Sequence, residues 1–318
     1  MDFFRRHLWR FSPFAVVLFL AASYFFIFAP PSNFPARDSV VVSRGASVAD
    51  IAEELSKAHL IKHPAVFRLI LRISGMSSRV KSGTYLFSTP ENALTIANRL
   101  TAGAYGLTPI RITFPEGITV REIAERVVEE MPLISAEEII ALGESQEGYL
   151  FPDTYLFQPD ATAASIVDTL RANFDIKMAP LAADIKTSGR HMRDIVILAS
   201  LVEKEARTSG NRRIVAGVLS NRLARGMPLQ VDAVFGYIFN RDTYSPSLAD
   251  LKVDSPYNTY LHAGLPPGPI ANPGIESIRA ALYPAETKYL YYLTGSDDQM
   301  HYAATYAEHQ FNRRTYLR

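Results

Sequence analysis

Apolar residues at positions 195, 198, 199, 202 and 206 recur with the spacing of a helix that buries one face, and they predict a central helix over 194–206. Upstream of it the pattern changes to a repeated short motif. Ser39 to Val42 reads as a strand, Gly45 as a turn and Ser47 as the cap of a helix over 48–58. The same order returns 72 residues later, with a strand over 110–114, Gly117 as the turn, Thr119 as the cap and a helix from Val120. Each copy continues into a second helix, over 63–73 and 135–142, and then into a closing strand, over 83–87 and 148–151. Beyond the repeat, helices are expected over 165–174, 212–225 and 276–282, a polar loop over 184–190 and a buried strand over 289–293. Residues 264–274 hold four prolines and three glycines, which excludes a helix or a central strand and suits either a rigid substrate-positioning wall or a surface connector. The pattern as a whole is α+β.

The first 38 residues follow a different logic. Residues 1–10 are basic, with Arg5, Arg6 and Arg10 against Asp2, and residues 11–28 run without a charge. Eighteen uncharged, largely apolar residues are enough for a short transmembrane helix, assigned to 11–29, and a secretory signal is the competing reading. The flanking arginines place residues 1–10 in the cytoplasm and the rest outside. Proline-rich residues 30–38 form a linker, 39–108 hold the first repeat unit with a connecting helix, and 109–146 hold the second as a half-repeat. Residues 147–318 form a mixed α+β domain that carries the chemistry.

Composition removes several kinds of chemistry. A net charge of +1 and the lack of a basic, aromatic stripe give no footprint for nucleic acid. Zero cysteines exclude disulfides, thiolate metal sites and a thiol nucleophile. The seven histidines show no metal-ligand spacing, and His301 and His309 read as surface or substrate-facing groups, so no metal or cofactor is expected. Glu203 and Glu205 remain, where the apolar run of the central helix ends. Helical residues two apart point about 200° from each other, so at most one of these acids looks into a cleft. Glu203 has Arg207 four residues on and reads as half of a surface pair. Glu205 continues the apolar face of Leu198, Leu201 and Val202, where a carboxyl keeps its proton as a general acid must. Tyr149 and Asp153, in a run of aromatics and acids over 147–155, read either as one wall of a sugar groove or as an ordinary packed turn.

The motifs together resemble a known family. The run Leu198 to Glu205, Asn221-Arg222-Leu223, Gly226 to Gln230, Tyr257-Asn258-Thr259-Tyr260, Gly264 to Gly268, Gly148 to Tyr155 and His301-Tyr302 with Glu308-His309 resemble the endolytic murein transglycosylases of the YceG-like type. The repeat, in strand–helix–helix–strand order, resembles LysM modules, with a duplicated spacer lacking sugar affinity as the alternative. The resemblance implies a single-pass inner-membrane enzyme facing the periplasm. It would cut the MurNAc–GlcNAc bond of nascent peptidoglycan strands to leave an anhydro-MurNAc end, and so terminate strand elongation. It implies peptidoglycan, the inner membrane and cell-wall synthases as partners. Glu205 matches the family's catalytic glutamate, and Gln230, Asp232 and Asn258 are candidates for orienting the sugars. Ala206, Val231 and Gln310 depart from the family pattern. Two other readings stay open: a muramidase pairing Glu205 with Asp232 or Glu147, and a non-catalytic glycan-binding scaffold.

Overall fold

The computed structural model describes residues 15–19, 24–25, 28–241 and 245–317. The expected span over 11–29 falls in large part on residues outside this set. Among the described residues no helix is long and apolar enough to cross a membrane. The chain divides into two compact units, 1–109 with 158–160, and 110–157 with 161–318.

The first unit pairs β1 (Ser39–Val42) antiparallel with β2 (Gly83–Leu86), Ser39 opposite Leu86 and Val42 opposite Gly83. Between them run α1 (Val48–Lys57) and α2 (Pro64–Ile73), and α3 (Ala93–Ala102) follows. Val42, Leu55, Phe67, Leu71, Tyr85, Phe87, Ile96 and Leu100 fill its core. Arg99 ties the unit together by donating to Leu86 O, Ala104 O and Glu91 with its guanidinium over Phe87.

The second unit opens with the same topology. β3 (Ile110–Thr113) pairs antiparallel with β4 (Thr154–Phe157), enclosing α4 (Val120–Glu130) and α5 (Ala136–Gly143). Both copies start their first helix with a reciprocal capping box, Ser47 with Asp50 and Thr119 with Glu122. In both a glycine two residues before the cap takes a left-handed turn, Gly45 at φ 79° and Gly117 at φ 78°. The closing strand of the second copy differs from expectation. It lies at Thr154–Phe157, because Gly148 turns the chain at φ 86° and Phe151 bonds to Leu170 O. A Cβ at Gly148 would sit 2.5 Å from Pro269 Cγ, so residues 147–151 form a tight turn against the proline-rich loop.

α6 (Ala163–Met178) seals the second repeat and α7 (Ala182–Ser188) follows. The latter stretch was expected to be a loop, but buried Ile185 anchors one face of a short helix and Gly189 caps it at φ 67°. α8 (Met192–Glu205) then runs through the centre of the remaining core. It is buried on all sides from Ile195 to Val202, whereas the pattern implied one buried face. α9 (Ser209–Ala224) and α11 (Ile275–Leu282) pack along it. Between them lie α10 (Ala233–Phe239) and the irregular stretch that ends in the proline-rich loop. The hairpin of β5 (Tyr291–Thr294) and β6 (Met300–Ala303), backed by α12 (Tyr306–Tyr316), completes the unit.

Candidate active site

Glu205 is the last helical residue of α8, after which Ala206 turns the chain extended. Its carboxyl is recessed in a cavity of about 770 Å³ that Asp232, Tyr237, Tyr257, Glu147, Lys204 and Ile270 also line. Thr119, Arg121 and Glu122 at the start of α4 supply another part of the lining, so the second repeat builds the cavity along with the helical core. Tyr292, on β5, donates its hydroxyl to Glu205 Oε2 at 3.0 Å. Removal from water pushes the Glu205 carboxyl up to about 7, against the Tyr292 hydrogen bond, and the nearby charge of Asp232 adds to the rise. A carboxyl with that affinity holds its proton near neutral pH and can give it up there. Burial, and after it the Glu205 charge, raises the Tyr292 phenol well above its ordinary value.

Asp232 starts α10 and accepts the Tyr260 hydroxyl. Gln230, two residues earlier, is held at φ 52° by its N–H on Thr259 O, and its Oε1 accepts from Arg222 Nη1 at 3.2 Å. Its left-handed backbone stores strain of a kind that clusters at functional positions, but Gln230 is exposed and is not among the residues that line Glu205's cavity. Asn258 is fully buried, and its amide donates to Leu251 O at 3.1 Å and Val253 O at 2.9 Å while its oxygen accepts Tyr260 N. It shapes the loop that presents Tyr257 and Tyr260, and it is not among the cavity-lining residues. Tyr149 and Asp153 are not brought to Glu205's cavity. The Tyr149 ring packs edge-on to Phe174 under Arg171, and Asp153 accepts from Asn173 and pairs with Lys177.

Glu203 corrects the sequence reading. Its side chain is 4% exposed and pairs with Arg212 Nη2 at 2.5 Å, not with Arg207. Its second oxygen accepts the Gly274 N–H at 2.9 Å, so both acids of the motif face inward on different sides of α8. Arg212 lies on α9 and reaches Glu116 and Ala206 O as well. No local spacing signals that bond, because the partner arrives from another helix. The same holds for Tyr292, 87 residues from Glu205, and for Asn272.

Asn272 is fully buried in the proline-rich loop. Its amide donates to Ile118 O at 3.0 Å and Glu147 Oε1 at 2.9 Å, and its oxygen accepts Leu150 N. Glu147 also accepts Val120 N at the start of α4, and burial pushes its carboxyl up to about 7. Ile270 N in the same loop donates to Ser200 Oγ on α8. The loop therefore joins the end of α8 to the second repeat, which makes it a positioning wall of the site. Among the described residues no cluster of His, Cys, Asp or Glu converges as metal ligands would.

The comparisons with known proteins agree with this architecture. The sequence profile of the YceG-like family matches residues 40–315. An endolytic murein transglycosylase of Bacillus subtilis is 30% identical over 306 residues, covering 88% of this chain and 84% of the relative. One of Streptococcus pneumoniae is 28% identical over 86% of this chain, which spans 57% of that longer relative. A YceG-like protein of Listeria monocytogenes, 28% identical, superposes with a TM-score of 0.59 over 86% of this chain and 98% of the other. With a profile match across all but the two ends and a solved relative of the same fold, the chain belongs to the YceG-like family.

Proposed function

We propose that the chain is a membrane-anchored endolytic lytic transglycosylase that cleaves the MurNAc–GlcNAc bond of nascent peptidoglycan strands and so ends their elongation. The observation that carries this reading is the Glu205 carboxyl, recessed in a large cavity with its proton affinity raised to about 7. It is an enzyme of the lytic transglycosylase class, in which one acid serves twice. Glu205 gives its proton to the glycosidic oxygen as the C1–O bond breaks. The resulting carboxylate then takes the proton of the sugar's own 6-hydroxyl, whose oxygen closes onto C1 to give the 1,6-anhydro end. No water is consumed. Asp232 shares the cavity with Glu205, and negative charge there would favour an oxocarbenium-like transition state. Gln230, its Oε1 held by Arg222, lies outside the lining of this cavity, so a sugar contact through its amide would fall beyond it.

The anchor, the periplasmic location and contact with cell-wall synthases belong to the same proposal, supported by the basic residues 1–10 ahead of the uncharged 11–28. The LysM-like reading of the repeat adds glycan affinity ahead of the active site. A second reading draws on Asp232, which shares the cavity with Glu205 as a second carboxylate would in a muramidase. Mass spectrometry of fragments released from purified strands separates the two: anhydro ends support the lyase, reducing ends the hydrolase. Glu205→Gln keeps size and hydrogen bonding but removes the transferable proton. It is expected to lower strand cleavage by at least ~10²–10⁴-fold while strand binding persists. Near-normal cleavage by that variant would remove Glu205 from the mechanism.

A further inference from the structure

The chain carries a net charge of +1, yet residues 55–90 contain six Lys and Arg and no Asp or Glu. α2 lies inside this stretch, and its ten residues, PAVFRLILRI, have only two polar members, Arg68 and Arg72. Phe67 and Leu71, one turn apart, are buried in the core of the first unit. Leu69 and Ile73 sit about 200° around the helix from them and are 54% and 77% exposed. Arg68 and Arg72, also one turn apart, border that exposed pair along one side, and the exposed Arg79 follows six residues after the helix. None of the three arginines pairs with a carboxylate among the described residues. A helix that shows isoleucine and leucine to water, bordered by arginines without a carboxylate partner, has the composition of one that lies in a membrane interface.

We propose that α2 docks on an anionic bilayer surface, with Leu69 and Ile73 entering the headgroup boundary and Arg68, Arg72 and Arg79 on lipid phosphates. Two observations select this occupant. The chain just before α2 meets the apolar N-terminal stretch at Phe25: Lys62, two residues before α2, donates to Phe25 O at 3.4 Å and sits over the Phe25 ring. Tyr24 and Phe25 are themselves 56% and 66% exposed. Charge decides against a second copy of the chain, because a two-fold contact would set this patch against itself and face arginine with arginine. Docking would hold the first unit flat on the membrane instead of leaving it free on a linker.

The chain has no cysteine, so Leu69→Cys or Ile73→Cys introduces a unique label site. The full chain carrying a nitroxide at either position is reconstituted into vesicles of phosphatidylcholine alone or mixed with phosphatidylglycerol. With the anionic lipid the label should be more accessible to oxygen than to a water-soluble nickel chelate. Each Arg→Gln change at 68, 72 or 79 should lower the ratio of docked to undocked chains by about fivefold. Raised salt should act in the same direction. Release of strand fragments from purified glycan by these variants should match the parent, which shows that the fold is intact. Flotation with the vesicles while both labels stay in water overturns the docking alone. Failure to float with either composition overturns the docking and the anchor together. Dipolar broadening between labels on two chains, independent of lipid, assigns the face to a second copy and also overturns the proposal.

Discussion

Two neighbours pull the Glu205 carboxyl in opposite directions, and each can be removed alone. The Tyr292 hydroxyl stabilises the carboxylate, whereas the charge of Asp232 opposes it. Tyr292→Phe should therefore raise the proton affinity of Glu205 further and move the alkaline fall of kcat/KM to higher pH. Asp232→Asn removes the repulsion, keeps an acceptor for Tyr260, and should move the same limb to lower pH. Opposite shifts in the pH–rate profiles are the expected outcome; shifts of one sign would mean that Glu205 is not the titrating group. At this scale the sequence pointed to Glu205 through the apolar face that precedes it, and that carboxyl does reach the cavity. It did not reveal Tyr292, which reaches the site from a hairpin far along the chain.

α8 can aim Glu205 only if its last turn is held. Three bonds hold it: Glu203 to Arg212 on α9, Glu203 to Gly274 N, and Ser200 to Ile270 N in the proline-rich loop. Losing one partner of a buried ion pair costs ~3–5 kcal/mol, because the other charge stays buried. Arg212→Met should approach that loss in a denaturant titration at pH 7. It should be milder at pH 5, since burial already raises the Glu203 carboxyl's proton affinity and an added proton removes the stranded charge. Glu203→Gln should destabilise the fold and leave the alkaline limb of the rate profile in place. The periodicity of α8 was plain in the sequence, and so was the irregular loop with its four prolines. Their mutual bonding was not, because hydrogen bonds between segments 70 residues apart leave no mark on local spacing.

Across the whole molecule the repeat was the most legible feature. Ser47 and Thr119, with Asp50 and Glu122 three residues on, are capping signals that need no tertiary contact to be read. The closing strand of the second copy was displaced because its glycine turn fits against a loop more than a hundred residues away. Both Glu147 and Glu205 lie in the second unit with carboxyls raised to about 7. The folded form thus holds more protons than the unfolded form between the ordinary carboxylate range and pH 7. Stability should be greatest below about pH 4.5 as far as these two groups decide, and should fall as pH rises towards 7. Each displacement is worth about 3 kcal/mol at full burial, less for Glu205, which keeps contact with the cavity's solvent. Unfolding midpoints at pH 5 and pH 8 test this, and Glu147→Gln should flatten part of the difference.

Asn272 joins three segments by way of one side chain, and the residue after it is Pro273. Asparagine side chains age by attack of the next residue's amide nitrogen on their own carbonyl, through a cyclic imide that ends as aspartate. Proline has no N–H with which to begin that attack. The junction that holds the end of α8 to the second repeat is thus shielded from that route of chemical decay.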